Sequence, residues 1–229
     1  MIKRQIPNLI TLCNLTCGVL ATGCAVNGQL ANAALFILLG ILFDFFDGLS
    51  ARLIGVSSPM GKELDSLADV VTSGVAPGFI LYNILGGCTI APWLGYVALL
   101  IPAFGAYRLA KFNLDTRQSH SFLGLPVPSN ALIWVGLALS GIYTQMDDWH
   151  LIAIAALSLA TCVLMVSELP LFSLKFNFKD LSWRTNNVQY IFLIICAVII
   201  AVLRNWIAVS AIILWYIILS LLTQRRHAE

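Results

Sequence analysis

The sequence predicts an all-α protein that crosses a membrane several times, and two observations lead to this fold class. Of the 229 residues, 59% are hydrophobic and 10% are charged, and the mean hydropathy is +0.89. Soluble domains carry roughly 25% charged residues, so the composition indicates a polytopic membrane protein. The apolar residues also form runs of the length that a transmembrane helix requires. The formal charge of +2 is too small to favour a nucleic-acid partner.

Eight segments approach the roughly 20 apolar residues that a transmembrane helix needs. They are residues 8–27, 31–53, 64–86, 92–112, 127–145, 149–168, 188–203 and 205–223. Only Arg204 and Asn205 separate the last two, which predicts either two tight spans or one re-entrant pair. We expect a six-helix transmembrane domain over residues 1–168, a cytosolic loop over 169–187, and two further transmembrane helices with a short cytosolic tail over 188–229.

The N-terminus carries Lys3 and Arg4 before an apolar stretch, as a signal peptide does. Polar residues and Pro7 interrupt that stretch. A retained first transmembrane helix is therefore the better interpretation.

Positive charge predicts the orientation, because Lys and Arg concentrate in cytosolic loops. If the N-terminus is cytosolic, twelve of the 13 Lys and Arg residues lie on the cytosolic side and only Arg204 does not. The outer connections near residues 27–30 and 83–91 carry no charge, and the third carries Asp147 and Asp148. We therefore expect an integral protein of the cytoplasmic membrane with both termini in the cytosol.

The stretch from Asp44 to Asp69, DFFDGLSARLIGVSSPMGKELDSLAD, places acids directly after an apolar run. Carboxylates at membrane depth are costly and usually have a functional reason. Asp44 and Asp47 are three apart, and Asp65 and Asp69 are four apart, so each pair shares one face of a helix. Four convergent acids beside small residues predict a site for divalent cations that hold a phosphorylated substrate. The alternative is a set of structural salt bridges with nearby basic residues.

The same stretch has the pattern D-x-x-D-G-x-x-A-R-x8-G-x-x-x-D-x-x-x-D. This pattern resembles, at every fixed position, the motif of the CDP-alcohol phosphotransferases, integral membrane enzymes that build phospholipid head groups. The resemblance implies a six-helix catalytic core in which the four aspartates bind two divalent cations, Mg²⁺ or Mn²⁺. It also implies that the last acid, Asp69, is the general base. The nucleotide of a CDP-linked lipid would lie against four further motif positions: Gly48, Ala51, Arg52 and Gly61.

A polar strip opens the first helix. Asn8, Thr11 and Asn14 are each three apart, so they lie along one helix face. Many members of the family that the chain resembles start with a similar PNxxT element, which implies that Asn8 and Thr11 help to bind the CDP group. The alternative is a helix cap with interhelical hydrogen bonds.

Arg108 and Lys111 are three apart, and on a helix both point from one face toward a site that could bind a carboxylate, with Asn113 beside them. The segments RLAKFN and FLGLPVPSNA resemble the RLARFN and FxGLPxPxxA elements of membrane-embedded phosphatidylserine synthases. Lys111 replaces the common arginine, which keeps the charge and loses the bidentate fork. The alternative is that both basic residues are ordinary positive-inside anchors.

The resemblance implies CDP-diacylglycerol and L-serine as substrates, with phosphatidylserine and CMP as products. Within the family, glycerol phosphate or inositol phosphate is the alternative acceptor, and its phosphate dianion would need a denser basic pocket. Outside the family, a cation-coupled transporter is the alternative, but it predicts paired or inverted repeats that the sequence lacks. Membrane lipids are expected partners, and homodimers are common in the family.

Overall fold

The structure, a computed structural model, describes residues 5–56, 58–114, 124–169, 171 and 183–225, and all regular structure within them is helical. The α-helices are α1 (Ile6–Val26), α2 (Leu30–Ile54), α3 (Pro59–Asp69), α4 (Ala76–Gly86), α5 (Leu100–Leu114), α6 (Val127–Ser140), α7 (Asp148–Val166), α8 (Trp183–Leu203) and α9 (Ile207–Arg225). A π-helical turn (Val70–Val75) joins α3 to α4, and 3₁₀ segments precede α5 (Pro92–Leu99) and α7 (Ile142–Gln145).

The predicted class, an all-α polytopic membrane protein, is confirmed. In the part of the chain that the structure describes, five helical stretches are long and apolar enough to cross a membrane: Ile6–Val26, Leu30–Ile54, Pro59–Gly86, Pro92–Leu114 and Asp148–Val166. Three shorter apolar helices, Val127–Ser140, Val188–Leu203 and Ile207–Thr223, match the remaining predicted spans.

Some boundaries differ from the prediction. The fifth span ends at Ser140 rather than 145, because Gly141 adopts a left-handed φ of 67° and stops the helix. The last two spans are separate helices, α8 and α9, joined at Arg204, whose φ is 46°. Most of the predicted loop over 169–187 lies outside the described residues, and the division into three parts stays a prediction.

The third span meets α1 and α2 in very close contact at Thr72, which is fully buried. A Cβ atom at Gly18 of α1 would lie 2.8 Å from the backbone nitrogen and Cα of Thr72. A Cβ atom at Gly40 of α2 would lie 2.5 Å from the Thr72 methyl carbon. Small residues at such contacts allow membrane helices to approach closely, so the two glycines set the distance between the three spans.

The π-helical turn lies in the middle of this contact. Its wider turn faces α1 and α2 through Thr72, while Gly74 faces α5, where a Cβ atom would lie 3.3 Å from Pro102 Cα. π-turns inside α-helices are rare and frequently mark functional sites. This turn begins at the residue directly after Asp69.

The C-terminal helices attach to the rest of the protein through α9. Ser210 Oγ donates a hydrogen bond of 2.6 Å to the carbonyl of Ile133 in α6. A Cβ atom at Gly136 would lie 2.9 Å from the Ser210 backbone nitrogen, so α6 and α9 touch at this glycine. Helix α8 packs on α9, with the rings of Phe192 and Tyr216 6.1 Å apart.

We predict that Gly18→Ala destabilises the protein, because the new methyl group would meet helix backbone that cannot move aside. Overpacking of this kind costs about 1–3 kcal/mol. Gly23→Ala on the same helix is the matched control, since nothing lies within 4 Å of its Cβ position. The midpoint of thermal unfolding in detergent should fall for Gly18→Ala and stay or rise for Gly23→Ala. Equal midpoints would contradict the close contact.

Candidate active site

The acidic stretch forms a helix–turn–helix whose two polar ends lie together. Gly55, with a left-handed φ of 70°, ends α2. Ser58 caps α3, and its Oγ accepts a 2.9 Å hydrogen bond from the Gly61 backbone nitrogen. Because α2 ends and α3 begins so close in sequence, the acids at the end of one helix face those on the other.

Three of the four predicted acids form one cluster. One carboxylate oxygen from each of Asp44, Asp47 and Asp65 lies within 4.8 Å of the others. Asp47 is buried, and the other two are half-buried. The Oδ1 atom of Asp65 is buried and has no hydrogen-bond partner in the structure. Hard carboxylate oxygens are the ligands that Mg²⁺ and Mn²⁺ prefer, so the donor set fits a divalent cation.

The salt-bridge alternative finds no support in the geometry. Among the residues that the structure describes, the ion pairs are Lys111 with Glu168 and His150 with Asp147. None of the four acids of the motif takes part in them. Within the described part of the chain, no basic side chain therefore forms an ion pair with the cluster.

The polar strip of α1 faces these acids. Thr11 Oγ1 donates a 2.6 Å hydrogen bond to Asp47 Oδ2. Asn14 Nδ2 donates a 3.3 Å hydrogen bond to Asp69 Oδ1. The interhelical hydrogen bonds that the sequence allowed thus exist, and their acceptors are two of the motif acids.

Asp69 has different surroundings from the other three acids. It lies one turn beyond Asp65, is 9% exposed, and is not a member of the cluster. Its carboxylate accepts a hydrogen bond from Asn14 and interacts electrostatically with Asp65 and Asp47 and, more weakly, with the guanidinium of Arg108. The four acids therefore form a three-acid cluster with a fourth, buried carboxylate close enough to interact with it electrostatically.

An open pocket of about 420 Å³ lies beside the cluster. Its lining comes from α1, the end of α2 and the start of α3: Pro7, Asn8, Thr11, Asp47, Gly48, Ala51, Gly55, Val56, Ser58, Gly61, Lys62 and Asp65. Five of the six residues predicted to bind the CDP group are among them. The exception is Arg52, which is exposed and lies outside the lining.

Small residues shape this pocket. A Cβ atom at Gly61 would lie 3.2 Å from Asn8 Oδ1, so a larger residue would press on α1. At Gly48 nothing lies within 4 Å of the Cβ position, so the backbone there is open to a ligand. The pocket thus offers close backbone approach beside carboxylates, which suits a phosphate-bearing ligand bridged by cations.

The three residues predicted to bind the acceptor do not share one environment. Arg108 is 8% exposed, and its Nε atom has no hydrogen-bond partner. Lys111 Nζ lies 3.0 Å from Glu168 Oε1. Asn113 Nδ2 donates a 2.9 Å hydrogen bond to Ser66 Oγ. Arg108 interacts electrostatically with Asp69, and the other two side chains have different partners.

Arg108 is not an exposed positive-inside anchor. It is buried against Phe112, with the guanidinium carbon 5.8 Å from the ring centroid. It lines a second, smaller pocket together with Lys111 and residues at the end of α7, including Glu168. Sequence reasoning missed Glu168, because its partner Lys111 is 57 positions away and no local pattern joins them.

A family model described as CDP-alcohol phosphatidyltransferase matches residues 4–169. The chain belongs to this family. It is therefore a transferase, as the motif resemblance implied, and the transporter alternative is excluded. The family is generally dependent on divalent cations, in agreement with the three-acid cluster.

Three relatives illustrate how far the similarity extends. The CDP-diacylglycerol–serine O-phosphatidyltransferase of Helicobacter pylori is 31% identical over 221 residues, 94% of this chain and 89% of the relative. The enzyme of the same name from Bacillus subtilis is 40% identical over 126 residues, 55% of this chain and 70% of the relative. The archaetidylserine synthase of Methanothermobacter thermautotrophicus is 33% identical over 166 residues, 72% of this chain and 68% of the relative.

We predict that Asp65→Asn weakens divalent-cation binding by ~10–100-fold, because it removes one charged ligand from the cluster. Glu63→Gln is the matched control, since Glu63 is an exposed acid of the same helix outside the cluster. Titration of the purified protein with Mn²⁺, followed by electron paramagnetic resonance, measures the affinity. Wild-type affinity in Asp65→Asn would exclude the cluster as a metal site.

Proposed function

We propose that this chain is a CDP-diacylglycerol–serine O-phosphatidyltransferase, which forms phosphatidylserine and CMP. Two kinds of support exist. Relatives of that name cover up to 94% of the chain, and a buried guanidinium, Arg108, interacts electrostatically with the carboxylate that would accept a proton. The second observation carries the choice of acceptor.

We propose that two divalent cations, Mg²⁺ or Mn²⁺, are bound by Asp44, Asp47 and Asp65 with Asp69 at the edge of the site. When bound, such cations polarise the phosphorus and neutralise charge on the leaving CMP. The unpartnered Oδ1 of Asp65 supports this assignment, because a buried carboxylate oxygen without a donor is costly unless a ligand occupies it.

The CDP group would occupy the 420 Å³ pocket. Asn8, Thr11, Gly48, Ala51 and Gly61 would line its binding surface, as the motif implies. Arg52 lies outside the lining and would reach the nucleotide only from the rim.

Asp69 would act as the general base. It accepts the proton of the serine hydroxyl while the hydroxyl oxygen forms a bond to the lipid-side phosphorus, and the bond from that phosphorus to the CMP oxygen breaks with its electron pair leaving on CMP. The position of Asp69 outside the three-acid cluster supports this role. A carboxylate that is shared with a cation is partly neutralised and is a weaker base.

The charge around Asp69 favours serine over phosphate-bearing alcohols. The carboxylate of serine carries one negative charge, which one guanidinium can match. Glycerol phosphate or inositol phosphate carries a dianion, and Lys111, one turn from Arg108, is paired with Glu168 at 3.0 Å. Arg117, a further candidate, lies outside the described residues. We propose that Lys111 and Asn113 border the acceptor site and that Arg108 lies within it.

We also propose that the protein lies in the cytoplasmic membrane with both termini and the active site on the cytosolic side. The contact between Lys62 Nζ and the Asn113 carbonyl, 3.0 Å, supports this, because it places the basic residues of α3 and α5 at one end of the bundle. A homodimer remains a proposal from the family alone.

The function is tested by CMP release from CDP-diacylglycerol with purified wild-type enzyme and Mn²⁺. We expect release with L-serine and none with glycerol 3-phosphate or inositol phosphate. Radiolabelled serine should appear in phosphatidylserine. Release with a phosphate-bearing alcohol and not with serine would overturn the proposal.

The role of Arg108 is tested by comparing serine with serinamide, which keeps the hydroxyl and lacks the carboxylate. We predict that Arg108→Gln lowers kcat/KM for serine by about 10–100-fold, since a hydrogen bond to a charged group is lost. With serinamide the same substitution should have little effect. Lys111→Gln is the control and should affect both acceptors equally. Equal losses for Arg108→Gln would show that Arg108 does not bind the carboxylate.

A further inference from the structure

Asn14 is a fully buried polar residue to which the proposed mechanism gives no role. Its Nδ2 atom donates to Asp69 Oδ1 at 3.3 Å. Its Oδ1 atom faces α2, where a Cβ atom at Gly40 would lie 2.9 Å away. A reversed amide would turn its oxygen toward the Asp69 carboxylate, which is repulsive, so the contact with Asp69 fixes the orientation of the amide.

Thr72 holds the backbone of Asn14 from the other side. Its Oγ1 atom donates a 3.0 Å hydrogen bond to the Asn14 carbonyl. Its methyl group packs toward Gly40, and its backbone lies against Gly18. The threonine therefore binds Asn14 through its hydroxyl and packs on α2 through its methyl group.

Asp69 and Thr72 contact the same residue of α1. Asp69 is the last residue before the π-helical turn, and Thr72 is its third residue. Residues three apart lie close together on one side of a helix, so the Asp69 carboxylate and the Thr72 hydroxyl both reach Asn14.

We propose that Asn14 and Thr72 are positioning residues that orient the carboxylate of Asp69, and this inference rests on the proposed role of Asp69 as the base. Because Asn14 donates to Oδ1, Oδ2 would be the oxygen that accepts the proton of the acceptor hydroxyl. Asn14 is a neutral donor and leaves Asp69 its negative charge, whereas a cation in its place would form an ion pair with the base. Through its hydrogen bond to the Asn14 carbonyl, Thr72 fixes the position of Asn14 relative to Asp69.

Three substitutions test the proposal. Thr72→Val keeps the shape and removes the hydroxyl, whereas Thr72→Ser keeps the hydroxyl and removes the methyl group that packs toward Gly40. Asn14→Leu removes the donor to Asp69 at similar volume. Thr16→Val is the matched control, because Thr16 is an exposed residue of α1 whose hydroxyl donates within its own helix, to the carbonyl of Leu12 at 2.8 Å.

The measurements are kcat for serine-dependent CMP release, KM for both substrates, and the dissociation constant of CDP-diacylglycerol in the presence of Mn²⁺. For Thr72→Val and Asn14→Leu we expect kcat to fall by about 10–100-fold, as small displacements of catalytic groups do. The dissociation constant should change by less than about threefold, because the pocket and the three-acid cluster are intact. Thr72→Ser should retain most of the activity, and Thr16→Val all of it.

The outcomes separate this inference from its alternatives. If Thr72→Ser loses as much activity as Thr72→Val, or more, the threonine matters for packing and the proposal is wrong. The proposal is also wrong if kcat stays unchanged in Thr72→Val. It is wrong as well if the dissociation constant of CDP-diacylglycerol rises by the same factor by which kcat falls. A wild-type enzyme that releases no CMP with serine would instead refute the proposed function, whatever the variants do.

Discussion

The close contact of three helix backbones at Thr72 is the constraint on which the site depends. Lipid tails are as apolar as the side chains they solvate, so membrane helices associate through tight packing and interhelical hydrogen bonds rather than through the hydrophobic effect. Gly18 and Gly40 supply that packing, since a Cβ atom at either would overlap Thr72. With the spans this close, the short side chains of Thr11 and Asn14 can reach Asp47 and Asp69.

The same packing gives the four acids two kinds of surroundings. Two unit charges about 4 Å apart repel by ~4 kcal/mol at an effective dielectric constant of ~20. Three carboxylates within 4.8 Å of one another, without an ion pair among the described residues, therefore favour a bound cation. Asp69 lies outside this cluster and accepts its hydrogen bond from the amide of Asn14. Enzymes commonly separate the roles of similar acids through such differences in environment.

Much of this could be predicted from local sequence. Apolar run lengths predicted the helices, and the i, i+3 and i, i+4 spacings placed the acids and the α1 strip on common faces. Long-range partners could not be predicted in this way. Glu168 lies 57 residues from Lys111, and Ser66 lies 47 residues from Asn113. The π-turn was also missed, because one additional residue in a turn leaves the hydropathy of the span unchanged.

The pairing of Lys111 bears directly on acceptor choice. Sequence spacing suggested that Arg108 and Lys111 act together, and two free cations would suit a phosphate dianion at least as well as a carboxylate. In the structure the Lys111 ammonium lies on Glu168, whereas the guanidinium of Arg108 interacts electrostatically with Asp69. An enzyme selects one substrate by matching its charge and also by lacking the charged groups that a competing substrate requires. Glu168 would serve the second purpose, because it removes the additional positive charge that a phosphate-bearing alcohol requires.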